Sequence, residues 1–416
     1  MEHSGGVPAR TPRRARRLLS LLTSSVLAAG VAALVLGIAN GGGRRTRVRT
    51  PPPRVGRPAS TTTQPATTTT GPVPPALAAL IGELKGFAER TRGLRFVREV
   101  PVSLLDDATF RKRTEELTTS SAASVEKTQK VLRALGLITA DVDLGKAVRA
   151  LYAGAVVGLY DQKNKVLLVR GAQPTPLVRR TLAHELTHAL QDQHFTLFRP
   201  ELDNRDDESA LAFSALVEGD AVRVEQAYQN TMSIADRNEL AREESAQLGQ
   251  LAPSIPEVLI ELVGFPYTYG PRYVQTVLSA AGQTRLDQAF TSPPTTTEQI
   301  LHPDRWLAGD PAAPLPQPKA DAAAIDTGVL GELGFDLVLQ KVVGTDETHA
   351  ALGDWGGDQY VAWDASGRTC LRDTVTAGGA GSAAALQRAL RDYARRRSGT
   401  TLTGTAPGPL TLTVCA

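Results

Sequence analysis

Three residues in one five-residue stretch carry the side chains that a hydrolytic metal site needs. His184 and His188 are four positions apart in the pattern HExxH, and Glu185 follows the first of them. On an α-helix, positions i and i+4 lie on one face, so the two imidazoles can occupy two corners of a zinc tetrahedron. Glu185 is rotated by about 100° from His184 and can take a proton from a water that the metal activates. The spacing predicts a zinc site with Glu185 as the general base.

A zinc site of this kind needs a third protein ligand, and the sequence offers two candidates. His194 would complete the spacing HExxHxxxxxH, but that arrangement requires a glycine at its eighth position for a sharp turn, and this chain has Gln191 there. Glu218 lies in the segment ALVEGDA, thirty residues after His188, and a carboxylate on a following helix also completes such sites. We favour Glu218, and His194 stays open as the alternative.

The residues beside Glu218 suggest how its helix would be held near the histidines. Gly219 would let the two helices approach closely, and Asp220 could orient a ligand histidine. If His194 joined the other three ligands, no position would remain for water and the zinc would be structural. Glu185 favours the catalytic interpretation, because a structural site has no use for a base.

Hydrolysis at a carbonyl also requires a donor that stabilises the developing oxyanion. Tyrosine hydroxyls in FPYTYGPRYV and the histidine in ILHPDRW are suitable, and we take Tyr269 and His302 as the leading candidates. The alternatives are Tyr267 and Tyr273 as donors, and Arg272 and Arg305 as ligands of a substrate carboxylate.

The helix that carries HExxH has a clear predicted start. Thr175 is a suitable N-cap, and Pro176 occupies the first helical position, where its missing N–H is harmless. Leu182, Leu186 and Leu190 then form an apolar stripe. Upstream, two apolar segments flank the polar DQKN and predict a β-hairpin.

Further elements are predicted on both sides of the candidate site. A second helix is expected over 206–228, and the proline-rich stretches 252–275 and 291–316 are interpreted as loops around short helices. The C-terminal part is expected to contain three strands and one helix. These cover 359–363, 368–375, 410–414 and 382–396. Cys370 and Cys415 fall in two of the strands, and in an exported protein they could form a disulfide.

The N-terminus predicts export. Residues 18–39 contain no charge and are long enough to cross a hydrocarbon core of about 30 Å, with arginine clusters on both sides. We interpret them as an uncleaved signal anchor, with a cleaved signal peptide as the alternative. Residues 50–75 contain eight prolines and eight threonines, which is typical of an extended, disordered stalk.

The charge distribution argues against a nucleic acid as the partner. The chain has a net charge of +3, but residues 1–60 carry eleven arginines and a single acid, which leaves −7 for the remainder. A mildly acidic body argues against nucleic-acid binding, which needs a basic surface.

The chain resembles a group of largely uncharacterised bacterial metallopeptidases found in actinobacteria. The similarity rests on HELTHALQDQHF, ALVEGDA and PPTTTEQILHPDRW, with VGLYDQKNKVLLV and WGGDQYVAW in support, and covers about residues 76–400. It implies a zincin-like fold of the gluzincin type, with His184, His188 and Glu218 as zinc ligands and Glu185 as the base. From fold analogy, we expect strand 165–169 to be the sheet edge along which an extended peptide lies.

Together these observations predict an α+β protein with five parts. They are a basic tail (1–17), a transmembrane anchor (18–40), a linker (41–75), a zincin-like metallopeptidase domain (76–345) and a small C-terminal α/β subdomain (346–416). The expected function is that of a membrane-anchored, extracytoplasmic zinc peptidase acting on peptides or proteins. The alternatives are a zinc-containing envelope binding or sensor module, and a metal-dependent hydrolase of a non-peptide cell-wall bond.

Overall fold

The computed structural model describes residues 73–118, 122–155, 157–171, 173–199, 202, 207–248 and 255–416. The predicted anchor at 18–39, and the stalk up to residue 72, lie outside these residues. None of the helices in the described ranges combines the length and apolar character that crossing a bilayer requires.

The described chain is α+β and contains helices and two separate sheets. The strands are β1 (Val102–Leu105), β2 (Gly158–Asp161), β3 (Val166–Arg170), β4 (Ala324–Gly328), β5 (Trp355–Ala365), β6 (Arg368–Ala377), β7 (Thr400–Thr403) and β8 (Leu410–Cys415). The helices are α1 (Pro75–Arg92), α2 (Asp107–Thr118), α3 (Ala122–Ala134), α4 (Leu144–Ala155), α5 (Pro176–Phe195), α6 (Asp207–Thr231), α7 (Ile234–Leu248), α8 (Glu257–Thr291), α9 (Thr297–Leu301), α10 (Pro303–Ala308), α11 (Gly331–Val343), α12 (Thr345–Leu352) and α13 (Ala380–Arg396).

The first sheet is mixed and has the order β1-β3-β2. β2 and β3 form the predicted antiparallel hairpin, and β1 adds to the other side of β3 in parallel. β3 is therefore the central strand, so the prediction that strand 165–169 forms the sheet edge is wrong. Among the described strands of this sheet, β2 is the edge next to α5.

α5 begins as predicted and packs on this sheet. The Thr175 side chain accepts a hydrogen bond from the N–H of Val178, and Pro176 follows at the first helical position. Leu182 and Leu186 are buried in one cluster with apolar residues of β3 and α1. Removing these side chains from water holds the helix against the sheet and fixes the direction of its other faces.

α6 and α8 cross in close contact, which corrects two predictions. A Cβ on Gly219 would overlap the carbonyl group of Gly270, and a Cβ on Gly270 would overlap that of Ala215. Gly219 therefore allows α6 to approach α8, rather than the helix with HExxH. The stretch predicted as a loop at 252–275 is largely helical, although Pro266 and Pro271 lie inside α8.

Burial explains why this stretch is helical despite its two prolines. Each helix-interior proline costs about 3 kcal/mol, but much of α8 is buried in the protein core, including Val258, Leu262, Val263 and Phe265. The helical path is interrupted at Gly282, where φ is 75°, a value that favours glycine.

The second sheet is antiparallel with the order β4-β5-β6-β8-β7. Cys370 of β6 is paired in register with Cys415 of β8, and the two form a disulfide, as the sequence suggested. β4 precedes the predicted domain boundary at residue 345 and pairs with β5 after it. One hydrophobic core contains residues from both sides of that position, for example Leu216 and Leu371.

Candidate metal centre

Three buried side chains converge between α5 and α6. The Nε2 atoms of His184 and His188 lie 3.0 Å apart, and Oε2 of Glu218 lies 3.1 Å from the first and 3.2 Å from the second. All three residues are at most 3% exposed. They form the one group of metal-ligating side chains with this geometry in the described part of the chain. Of the two candidates for the third position, Glu218 is the one that joins the histidines.

The donor set fits a tetrahedral cation. Zinc–nitrogen and zinc–oxygen bonds of about 2.0–2.1 Å at tetrahedral angles separate neighbouring ligand atoms by about 3.3 Å, close to the distances between these three atoms. Two imidazole lone pairs and a carboxylate directed at one point repel one another unless a positive charge lies between them. The cluster is therefore suited to hold a divalent metal ion.

The pKa shifts of His184 and Glu218 also indicate that the cluster favours a positive charge. Burial alone would lower the pKa of His184, but its hydrogen bonds to Glu218 and Glu225 raise that pKa to about 10. Burial alone would raise the pKa of Glu218, but the two histidines lower it to about 2. Without a metal, a proton on a histidine supplies the positive charge that stabilises the buried Glu218 carboxylate. A bound divalent cation would supply two positive charges at the same place.

His184 is held from behind by a carboxylate that the sequence did not reveal. Its Nδ1 lies 2.8 Å from Oε2 of Glu225, which leaves Nε2 directed at Glu218. Oε1 of Glu225 pairs with Arg180 at 3.2 Å, and Arg180 also contacts Glu244 on α7. Glu225 follows Glu218 by seven residues, or two helical turns. This spacing could have indicated from the sequence that both carboxylates lie on one face of the helix.

His188 is held by an amide in place of a carboxylate. Its Nδ1 lies 3.0 Å from Oε1 of Gln191, one turn further along α5. Asp220 contacts Gln191 and neither histidine directly. The predicted supporting role of Asp220 is therefore indirect.

Glu185 lies beside the cluster, as its rotation on the helix predicts. Its Oε2 accepts a hydrogen bond of 2.8 Å from the N–H of Tyr160 on β2, whereas its buried Oε1 has no hydrogen-bond partner. Burial raises the pKa of Glu185, and the positive charge of His188 and His184 opposes this shift. The carboxylate thus has one oxygen fixed and one available to accept a proton.

His194 has a different environment. It lies near the end of α5, with its ring exposed, and its Nε2 donates a hydrogen bond of 2.8 Å to the carbonyl of Arg95. The helix continues through Gln191 without the sharp turn that would bring His194 back to the other histidines. A four-ligand structural site that includes His194 therefore does not form in this arrangement.

The candidate oxyanion donors are spread over two regions. The ring of Tyr267 is stacked on that of His184 with centroids 6.4 Å apart. Tyr269 contacts Phe265, and His302 pairs through Nε2 with Glu332 at 3.0 Å. The catalytic roles given to Tyr269 and His302 stay predictions, and Tyr267 has a ring contact with His184.

Tyr273 and Arg305 have contacts away from the cluster. The ring of Tyr273 meets Trp306 edge-on. Arg305 forms ion pairs with Asp310 and Asp354, and Arg272 is exposed.

Comparisons with known proteins add no further constraint. No family model, curated protein or solved structure matches this chain. The function has to be inferred from the chain's own side chains.

Proposed function

We propose that this protein is a zinc-dependent peptidase in which His184, His188 and Glu218 bind the metal and Glu185 is the general base. The observation that carries the proposal is the convergence of two ring nitrogens and one carboxylate oxygen within 3.2 Å of each other, beside a second carboxylate with a free oxygen. A purely structural site would not need that second carboxylate. The resemblance to bacterial metallopeptidases supports a peptide as the substrate.

The chain's own residues would divide the work of hydrolysis. Bound zinc would lower the pKa of a water and polarise the substrate carbonyl. Oε1 of Glu185 would accept the proton of the attacking water and later deliver it to the leaving amine. The Tyr160 N–H keeps Oε2 in place, so that the free oxygen keeps one orientation. The three ligands and all four residues of β2 are buried, so substrate access to this part of the site would require neighbouring residues to move.

β2 is the described strand best suited to pair with an extended substrate. Val157 accepts a hydrogen bond from Arg170 on the β3 side, so the peptide groups of Gly158 and Tyr160 point to the other side. Tyr160 is engaged by Glu185 there, which makes Gly158 the nearest position for backbone pairing. We expect a cleaved peptide to lose turnover when the amide that pairs with Gly158 is N-methylated. Equal turnover of all singly N-methylated peptides would contradict this role of β2.

The decisive experiment is Glu185→Gln. We expect the purified variant to keep one zinc per chain and to lose kcat/KM for a peptide library by roughly 10²–10⁴-fold, the usual contribution of a general base. The exposed Glu239→Gln on α7 serves as a control and should keep its activity. Full activity in Glu185→Gln would refute the mechanism. Zinc binding without hydrolysis of any peptide by the unaltered protein would favour a binding module or a non-peptide substrate.

The membrane anchor and extracytoplasmic location belong to the same proposal. They rest on the uncharged segment 18–39 and on the cysteine pair, because disulfides persist mainly in oxidising compartments. Fractionation of cells that express the full chain, with and without residues 1–40, would test the anchor.

A further inference from the structure

We infer that Arg92, Asp220 and Gln191 are positioning residues that hold the ring of His188 with Nε2 toward the metal. The inference rests on the proposed metal site and extends it to residues that do not touch the ion. The Gln191 side-chain amide contacts His188 on one side and residues of α6 on the other, so its orientation depends on both.

The first link is the side-chain amide of Gln191. An amide presents an acceptor on one side and two donors on the other, and the two orientations have nearly the same shape. Here the nitrogen has two acceptors, the carbonyl of Val217 at 3.1 Å and Oδ2 of Asp220 at 3.0 Å. The oxygen must therefore face Nδ1 of His188 at 3.0 Å. His188 then carries its proton on Nδ1, and the lone pair of Nε2 is free for the metal.

The second link is the carboxylate of Asp220, which is fully buried. Oδ2 accepts a hydrogen bond of 2.5 Å from Nε of Arg92, and Oδ1 accepts one of 2.9 Å from Arg223. These cations keep the group as an acceptor facing Gln191.

The third link is Arg92 itself, which has no exposed surface. Its guanidinium lies over the rings of Phe195 and Phe290, at 5.6 and 5.4 Å from their centroids, and pairs with Asp287 at 2.7 Å. Arg92 is on α1, Gln191 on α5, Asp220 on α6 and Asp287 on α8. The tautomer of His188 is thus set by the packing of four helices.

A double-mutant cycle on zinc affinity separates this role from a purely structural ion pair. We expect Gln191→Met and Asp220→Asn each to weaken zinc binding roughly 10–100-fold, as is typical for residues behind a metal ligand, measured by competition with a chromogenic chelator. Because Asp220 acts through Gln191, Asp220→Asn should weaken binding no further in the Gln191→Met background. Asp192→Asn is a matched control. It changes a different buried aspartate, on α5, which contacts Tyr160 and Lys165 and no metal ligand, and should leave zinc affinity unchanged.

Three results would overturn the inference. They are zinc affinity within twofold of the unaltered protein for Gln191→Met, an equal loss from Asp220→Asn in both backgrounds, and no zinc binding by the unaltered protein. If Asp220→Asn does not fold, the zinc affinity of Gln191→Met still tests the inference by itself. Because hydrolysis is not measured, an active Glu185→Gln enzyme would refute the catalytic proposal and leave this one intact.

Discussion

The contact between α6 and α8 makes a quantitative prediction for Gly270→Ala. A Cβ at this position would overlap the carbonyl oxygen of Ala215, and the backbone of Gly219 is as close as 3.0 Å. Both obstacles are backbone atoms of α6, so no side chain can rotate away and the helices must separate. Overpacking of this kind costs about 1–3 kcal/mol, and a backbone obstacle belongs at the upper end. Alanine regains about 1 kcal/mol of helix propensity, which leaves a net loss of about 2 kcal/mol.

The separation should also reach the metal site, because Glu218 precedes Gly219 on the same helix. We therefore expect Gly270→Ala to lower zinc affinity as well as the free energy of unfolding, measured by denaturant titration with and without zinc.

Gly82→Ala is the matched control. Gly82 lies within α1 and is exposed, and no atom lies within 4 Å of the place that a Cβ would occupy there. The same substitution at this position should stabilise the protein by about 0.5–1 kcal/mol. If Gly270→Ala were as stable as Gly82→Ala, the close approach of the two helices would be wrong.

Two further predictions concern the ligand set and the second sheet. Glu218→Ala should abolish stoichiometric zinc binding in a metal analysis of the purified protein, and His194→Ala should leave it unchanged; the reverse result would restore His194 as the third ligand. Burial raises the pKa of Asp326 to about 6, above its ordinary value of 3.8, so the folded state holds this proton more tightly than the unfolded state. Stability should then fall as the pH rises from about 4 to about 6. Asp326→Asn should be more stable than the unaltered protein at pH 7 and no more stable at pH 3.5, and identical unfolding curves at both pH values would exclude this contribution.

The local part of the site could be predicted from the sequence. His184, Glu185 and His188 owe their relative positions to one helix, whose start at Thr175 and Pro176 is itself encoded by neighbouring residues. Helix geometry depends on a few consecutive residues, so the face that each side chain occupies follows from spacing. Glu218 could be proposed from its segment ALVEGDA, because a carboxylate on a following helix can complete a site that HExxH begins.

Other predictions failed where distant segments decide the outcome. Strand 165–169 was assigned to the sheet edge, but β1, some sixty residues upstream, pairs with its free side. The prolines of α8 indicated a loop, whereas packing in the core holds the segment helical. Sheet order and burial depend on which surfaces meet, and no local pattern records that.

The sequence by itself determined the local arrangement of His184, Glu185 and His188, namely two imidazoles and a carboxylate on about one turn of a helix. The tertiary structure alone decided how the ligands are held. Glu225 is 41 positions from His184, and Arg92 is 128 positions from Asp220, yet each pair is in hydrogen-bond contact. Such contacts arise because burying apolar helix faces brings these polar groups together out of water, where each must find a partner.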